Sequence, residues 1–456
     1  MHTRISVVLV AVVVVSALAA AASGEPAAAL STAEEAVSPL RTPEAIDRAR
    51  QIRAAIADGD IDWLEELAPT PAEREDAERR ERIKKQATPT SISEAIGSHY
   101  GGMYRDSETG DVVALTTGDV EAARDALSFV EGNPRVVAAE FTLADLTRFY
   151  EVLVDRLPDS ASVGLYVKRN RIGIGIDEPA RFDVSGVPPS AIFYQPYDGP
   201  AVAAATDQAD YHSYGNLIPG VVIELAPEGE AREGRMCTWG FTAYDTTAAD
   251  RAFVLTAGHC SPDGWTNLDT VQVDLYQTST NDDVPCTDCT STQRGDDRGM
   301  YLRRTNHTDL GRIRSTGLGD ANCTHTLSHN CAATITSVQD KSDDAVGDDV
   351  CVSLPVQDQS GGGHEDVYVC GELQDPVSQS ITYTSEYGNH TITNAREVDI
   401  VSGTGNSGAG FKWGSNLYGM LFATYVGQDR TFFQTAEDID DKLGSNVDIC
   451  TFDGCK

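Results

Sequence analysis

Two short strings in this chain place reactive side chains where a backbone turn would hold them. In FVLTAGHC, Phe253 to Cys260, an apolar run leads into a small-residue turn that presents His259 beside a cysteine. An imidazole titrates near neutrality, so a histidine fixed on such a turn can serve as a general base. In IVSGTGNSGAGFKWG, Ile400 to Gly414, Ser407 stands among glycines. A serine hydroxyl is a poor nucleophile until a base takes its proton during attack. Glycine lets the backbone turn sharply and aim N–H groups at one point, which an anionic intermediate needs. Alone, each string has an ordinary reading: a structural histidine, and a serine in a glycine-rich turn.

The elements that must position these residues follow from periodicity. From about Val221 onward the chain consists of short Val-, Ile- and Thr-rich runs broken by Gly, Asp and Asn, with no long amphipathic pattern until AEDIDDKLG near the end. That implies an all-β sandwich or a pair of barrels. From about Ser91 to Asp177 strand and helix patterns alternate. DVVALTT and PRVVAAEFT read as strands, GDVEAARDALSFV as a helix, and VGLYVKRNRIGIGID as a hairpin around Arg169-Asn170. LADLTRFYEVLVDRL carries Leu143, Leu146, Phe149, Tyr150 and Leu153 along one helical stripe. This predicts a compact α+β unit without cysteines over residues 91–177. Residues 178–220, richer in Pro, Gly, Ala and Tyr, read as a linker. Upstream, TPEAIDRARQIRAAIADG has the cap, first-turn proline and terminal glycine of a helix, whereas PAEREDAERRERIKKQ is charged all round and fits a solvated helix or linker.

Composition sets the compartment. The first 26 residues have a basic start, one apolar run and then small residues, the anatomy of a secretory signal with removal near Ala20 to Ser23. All ten cysteines lie between Cys237 and Cys455, which in an exported protein reads as a disulfide framework. CTDC and CTHTLSHNC have ligand-like spacing, but exported thiols oxidise, which favours disulfides over zinc. A formal charge of −35 disfavours nucleic acid as a partner and suits a solvated, soluble surface.

Thr-Ala-Gly-His-Cys, with His259, resembles the histidine motif of the chymotrypsin-like serine proteases. HTDLGRIR resembles their aspartate motif and points to Asp309, and GTGNSGAG resembles their nucleophile loop and points to Ser407. The order His, Asp, Ser is that of chymotrypsin, not of subtilisins or α/β-hydrolases. CTWGFTAYD, DDVCVSLP…VYVCGEL and TFFQTAEDI are similar to strings of the streptogrisin and α-lytic protease branch. YGGMYRDSETGDVVALTTGDVEAARDAL and LYVKRNRIGIGID resemble pieces of the pro-domain those proteases carry.

The resemblance implies an all-β protease domain of two packed antiparallel β-barrels, preceded by an α+β pro-domain. It implies His259 as base, Asp309 as its orienting partner and Ser407 as nucleophile, with the N–H groups of Gly405 and Ser407 facing the oxyanion. It also implies disulfides Cys237–Cys260 and Cys351–Cys370, no metal and no cofactor. The expected layout is a signal peptide over 1–22, a charged helical part of the pro-region over 23–90 and a pro-domain over 91–177. A linker with the activation cleavage region follows over 178–220, then the protease over 221–456. Expected partners are protein or peptide substrates and the pro-domain itself, as folding aid and inhibitor, with no nucleic acid, no membrane after signal removal, and a monomeric state. The function implied is a secreted serine endopeptidase made as a zymogen. The rival is a catalytically impaired protease-like binding module.

Several positions depart from the family pattern. Asn406 stands where the family has an aspartate that locks the oxyanion loop through an ion pair. Phe422-Ala423-Thr424 stand where it has a Ser-Gly-Gly segment that meets the substrate backbone. Val401 takes the place of a cysteine, and Asp399, Ile400 and Val401 are alternative occupants of the pocket base.

Overall fold

The computed structural model describes residues 71–106, 109–132, 134–156, 161–176, 183–195, 197, 199–203, 222–227, 235–247, 252–260, 273–277, 294–295, 300–302, 309–315, 323–327, 330–357, 364–385, 388–402, 405–425 and 430–451. The signal segment, the helix expected over 42–59, Cys286, Cys289 and Cys455 lie outside these residues, as does most of the expected cleavage region.

The first half opens with helices α1 (Pro71–Gln86) and α2 (Pro89–Ile96). The charged run in α1 does form a helix, because it buries Ile83 and spends its charge in solvent, where Arg82 holds Glu131 through two hydrogen bonds. Thr88 and Ser91 cap α2 reciprocally, with Pro89 in the first turn. Strands β1 (Tyr100–Arg105), β2 (Val112–Thr116) and β3 (Arg135–Ala138) form a three-stranded sheet crossed by α3 (Val120–Ala126). Helix α4 (Leu143–Val154) starts at Thr142, whose hydroxyl accepts the Asp145 N–H, and buries Leu146, Phe149, Tyr150 and Leu153. That stripe packs against the hairpin of β4 (Ala161–Tyr166) and β5 (Arg171–Ile176). Asn170 makes the hairpin turn at φ 52°, and its carboxamide takes up the main chain of Glu140 and Phe141. The stretch expected as a linker supplies β6 (Ile192–Gln195) and β7 (Ala201–Ala203).

The second half is strand-rich. Strands β8 (Val222–Pro227), β9 (Arg235–Thr238), β10 (Phe241–Asp245) and β11 (Ala252–Thr256) are followed by β12 (Val273–Gln277), β13 (Arg294–Gly295), β14 (Met300–Leu302) and β15 (Gly311–Ser315). A hairpin of β16 (Cys323–Leu327) and β17 (Asn330–Thr334) leads to β18 (Ser337–Val338), β19 (Asp349–Gln357), β20 (His364–Glu372), β21 (Ser378–Ser385) and β22 (Gly388–Val398). The chain ends with β23 (Gly410–Trp413), β24 (Asn416–Thr424), β25 (Thr431–Thr435), helix α5 (Ala436–Leu443) and β26 (Val447–Ile449).

These strands do not form the two packed barrels that the resemblance implied. One sheet runs β14-β15-β11-β10-β26, another β13-β12-β8-β9, and the large sheet runs β20-β19-β23-β24-β25-β22-β21-β4-β5-β6. The sheets are open, and none is closed into a barrel or strongly curled. Closure needs edge strands to meet with matching tilt and shear. Here the five-stranded sheet ends in two short edges, β14 and β26. In the large sheet β4 from the first half pairs with β21, Gln379 opposite Gly164, so the sheet extends sideways. Strand alternation is local and readable from sequence; closure depends on which distant edges meet.

Cys351–Cys370 staples β19 to β20 at directly opposed positions, and Cys237–Cys260 ties β9 to the turn after β11. Cys450 is also in a disulfide. Closing a 23-residue separation contributes about 3 kcal/mol in the chain-entropy account. Among the described residues no helix is long and apolar enough to cross a membrane.

Candidate active site

The strand register brings the first two groups together. β11 and β15 are antiparallel neighbours with Thr256 opposite Gly311, so Ala257–Cys260 and Asp309–Leu310 leave the sheet at the same end. A Cβ on Gly258 would lie 2.8 Å from Asp309 Oδ1, so glycine here lets the carboxylate close on the turn. Asp309 Oδ1 accepts the His259 N–H at 2.8 Å, and Oδ2 lies 2.5 Å from His259 Nδ1. The other ring nitrogen, Nε2, is 2.7 Å from Ser407 Oγ. His259, Asp309 and Ser407 are all at 0% exposure.

The serine loop is clamped between β9 and β24. Thr238 donates its N–H to the Ser407 carbonyl at 2.6 Å and its hydroxyl to the Gly405 carbonyl at 2.9 Å. Gly408 donates to Leu421 O at 2.8 Å. Gly408 sits at φ 98°, and a Cβ there would come within 2.1 Å of Thr238 O, so close approach and backbone angle both require glycine. Gly405, at φ 91°, turns the chain ahead of the nucleophile. Neither the Gly405 nor the Ser407 N–H donates to a described residue. Asn406, 3% exposed, points into the protein, and its carbonyl accepts the Ala409 N–H.

Gln434 was not singled out from sequence. It lies buried on β25, its Oε1 accepts the Asp309 N–H at 3.0 Å, and its Nε2 donates to Asp309 O. One carboxamide thus holds the main chain of Asp309 from both sides. The available signal was a polar residue in the otherwise apolar strand TFFQT, since a buried amide needs partners. Tyr383 was also missed; its ring lies 5.5 Å from the His259 ring and 5.4 Å from Phe422.

Phe422, Ala423 and Thr424 lie on β24 next to this cluster and are buried. Their backbone is already paired: Ala423 lies opposite Ala203 and Thr424 opposite Val202 of β7. Of the alternative pocket-base residues, Asp399 spends Oδ1 on the Glu372 N–H at 2.6 Å, Ile400 is in the core, and Val401 is 56% exposed. The sulfurs of Cys237 and Cys260 lie near the His259 ring but are bonded to each other, so they offer no thiolate to a metal.

No family model and no curated protein matches the chain. Among solved structures the chain is similar to a Nocardiopsis protease, at 18% identity and TM-score 0.32 over 50% of this chain and 95% of that one. It is similar to Thermobifida fusca protease A at 18% identity and TM-score 0.31, over 50% and 96% of the two chains. A Cellulomonas bogoriensis chymotrypsin matches at 17% identity and TM-score 0.31, over 52% and 99%.

Proposed function

We propose that the chain is a secreted serine endopeptidase, made as a zymogen, that hydrolyses peptide bonds through an acyl-enzyme intermediate. The observation that carries this reading is His259 seated between Asp309 Oδ2 and Ser407 Oγ at 2.5 and 2.7 Å. In that arrangement Nε2 takes the Ser407 proton as Oγ attacks the carbonyl carbon, and the proton then passes to the leaving amine. Asp309 keeps Nδ1 protonated and balances the imidazolium that forms. The negative oxygen of the tetrahedral intermediate faces the Gly405 and Ser407 N–H groups, each worth about 3 kcal/mol of barrier. Water repeats the sequence on the ester, with His259 as base again.

The first half acts as folding aid and inhibitor in this reading. Its support is that β4 extends the large sheet and β7 covers the backbone of Ala423 and Thr424. Slow folding of a strand-rich, long-range topology gives such a template its use. Export through the leading segment, cleavage between Pro196 and Leu225, and a monomeric product acting on proteins or peptides complete the proposal.

The test is hydrolysis of casein and fluorogenic peptides by the secreted, processed protein. Ser407→Ala and His259→Ala should each remove at least about four orders of magnitude of kcat/KM. Hydrolysis that survives Ser407→Ala would overturn the reading.

A further inference from the structure

The strands that lead to the base and to the nucleophile belong to different sheets, and a strand of a third sheet touches both. β9 lies at one end of the sheet β13-β12-β8-β9. Its last two residues, Cys237 and Thr238, are at 0% exposure. Cys237 is bonded to Cys260, the residue after His259. The Thr238 carbonyl accepts the hydroxyl of Thr256 at 2.8 Å, on the strand that leads into the same histidine. Toward the nucleophile, Thr238 donates its N–H to the Ser407 carbonyl at 2.6 Å and its hydroxyl to the Gly405 carbonyl at 2.9 Å. This short segment therefore reaches from the base to both ends of the turn that holds the nucleophile.

The hydroxyl is the part of this contact that depends on residue type. Almost any residue would supply the N–H, but only serine or threonine brings a short hydroxyl to the same point. Its target is the place on the turn most able to move. Gly405 sits at φ 91° with no side chain to resist rotation. The Gly405 N–H keeps its aim only while the peptide that follows stays in place, and the oxygen of that peptide is the one Thr238 holds. Asn406, next in the chain, carries no charge with which to anchor the turn. The fit is also close. A Cβ on Gly408 would collide with Thr238 O, and one on Gly240 with Gly408 O, so the turn cannot slide along β9.

We propose that Thr238 is a positioning residue of the oxyanion hole: its hydroxyl and N–H fix the turn from Gly405 to Ser407, and Cys237 and Thr256 hold it at a constant distance from His259. This rests on the endopeptidase reading and adds to it a residue that acts on the transition state without touching substrate. The N–H groups of the hole meet a full negative charge only when the tetrahedral intermediate forms. A loosened turn therefore costs rate and leaves substrate binding nearly intact.

The experiment uses the secreted, processed protein and a fluorogenic peptide. Thr238→Val removes the hydroxyl, keeps the N–H and nearly keeps the shape. It should lower kcat about 10- to 100-fold while KM stays within about threefold, as for an interaction made only in the transition state. Phenylboronate, whose tetrahedral adduct on Ser407 places an oxygen in the hole, should lose affinity by the same factor. Thr238→Ser should recover most of both losses, although it lacks the methyl group that a purely packing role would need. Unchanged kcat, a loss confined to KM, or an equal loss in Thr238→Ser overturns the proposal. Urea midpoints identify the folded variants, and Thr238→Ala replaces Thr238→Val if the latter does not fold. If neither folds, Thr238→Ser decides alone: a fall in kcat below about threefold upholds the proposal and a larger one overturns it. Fluorophosphonate labelling of wild type separates the failures. With Ser407 labelled, the contrary results remove the role of Thr238 alone, whereas absent labelling removes the endopeptidase reading and the proposal with it.

Discussion

The two sides of the candidate site are built from different parts of the chain. His259 and Asp309 leave one end of the five-stranded sheet, whose strands all lie after residue 240, and Cys237–Cys260 and Gln434 brace them. Ser407 lies on the loop between β22 and β23 of the large sheet, into which the first half sends β4, β5, β6 and β7. His259 and Asp309 are thus held by residues of the second half alone. The sheet around Ser407 is completed by strands from residues before 204. If the first half is a folding aid that is later removed, as proposed, only the large-sheet side of the site should depend on it.

The largest expected effect tests whether the two sides work as one unit. Ser407→Ala and His259→Ala should each cost about four orders of magnitude or more in kcat/KM, and the double variant should be no worse than either. Multiplied losses in the double variant would show two independent sides. A smaller effect is expected where the large sheet holds Asp309. Gln434→Leu should lower kcat about 10- to 100-fold with KM little changed and a shifted pH profile, because Asp309 loses both main-chain tethers. Gln434→Glu, which keeps an acceptor for the Asp309 N–H, should recover part of the loss.

Gly164→Val probes the other side. A Cβ there would lie 2.7 Å from Pro376 Cγ, so the variant should pry β4 from β21 and cost about 1–3 kcal/mol in urea unfolding of the full chain. Faster hydrogen exchange should be confined to the large sheet; loosening of β10 and β11 would blur the contrast. The smallest effect is one of pH. Asp375 accepts the N–H groups of Val167 and Lys168, and burial pushes its carboxyl up to about 6, offset in part by those N–H groups and by Lys168 and Arg169. An exposed aspartate titrates near about 3.9, so between roughly pH 4 and 6 the docked hairpin binds more protons than the separated one. Docking should therefore weaken as pH rises through that window, read as a falling Tm, and Asp375→Asn should flatten the fall.

Legibility in the sequence divides along the same line. The stripe Leu146, Phe149, Tyr150 and Leu153, the cap at Thr142 and the hairpin turn at Asn170 are local patterns, and each appears where periodicity places it. His259, Asp309 and Ser407, which the structure brings together, were found through three short motifs that resemble those of a known family. The barrels were not, because closure depends on which edges meet across more than a hundred residues, and β4 takes the edge of β21. Gln434 and Tyr383 touch residues far along the chain; the one amide side chain in TFFQT marks Gln434 as needing a partner but does not say which, and Tyr383 carries no mark. β7 is three small residues in an unremarkable stretch, and only its pairing on both edges shows its place.

The most direct test of the central claim is mass-spectrometric mapping of a fluorophosphonate adduct on the purified, processed protein. The account predicts one adduct, on Ser407, lost in His259→Ala and absent when the nucleophile is replaced in Ser407→Ala. A folded, processed protein that takes no label at Ser407, or takes it equally without His259, would contradict it.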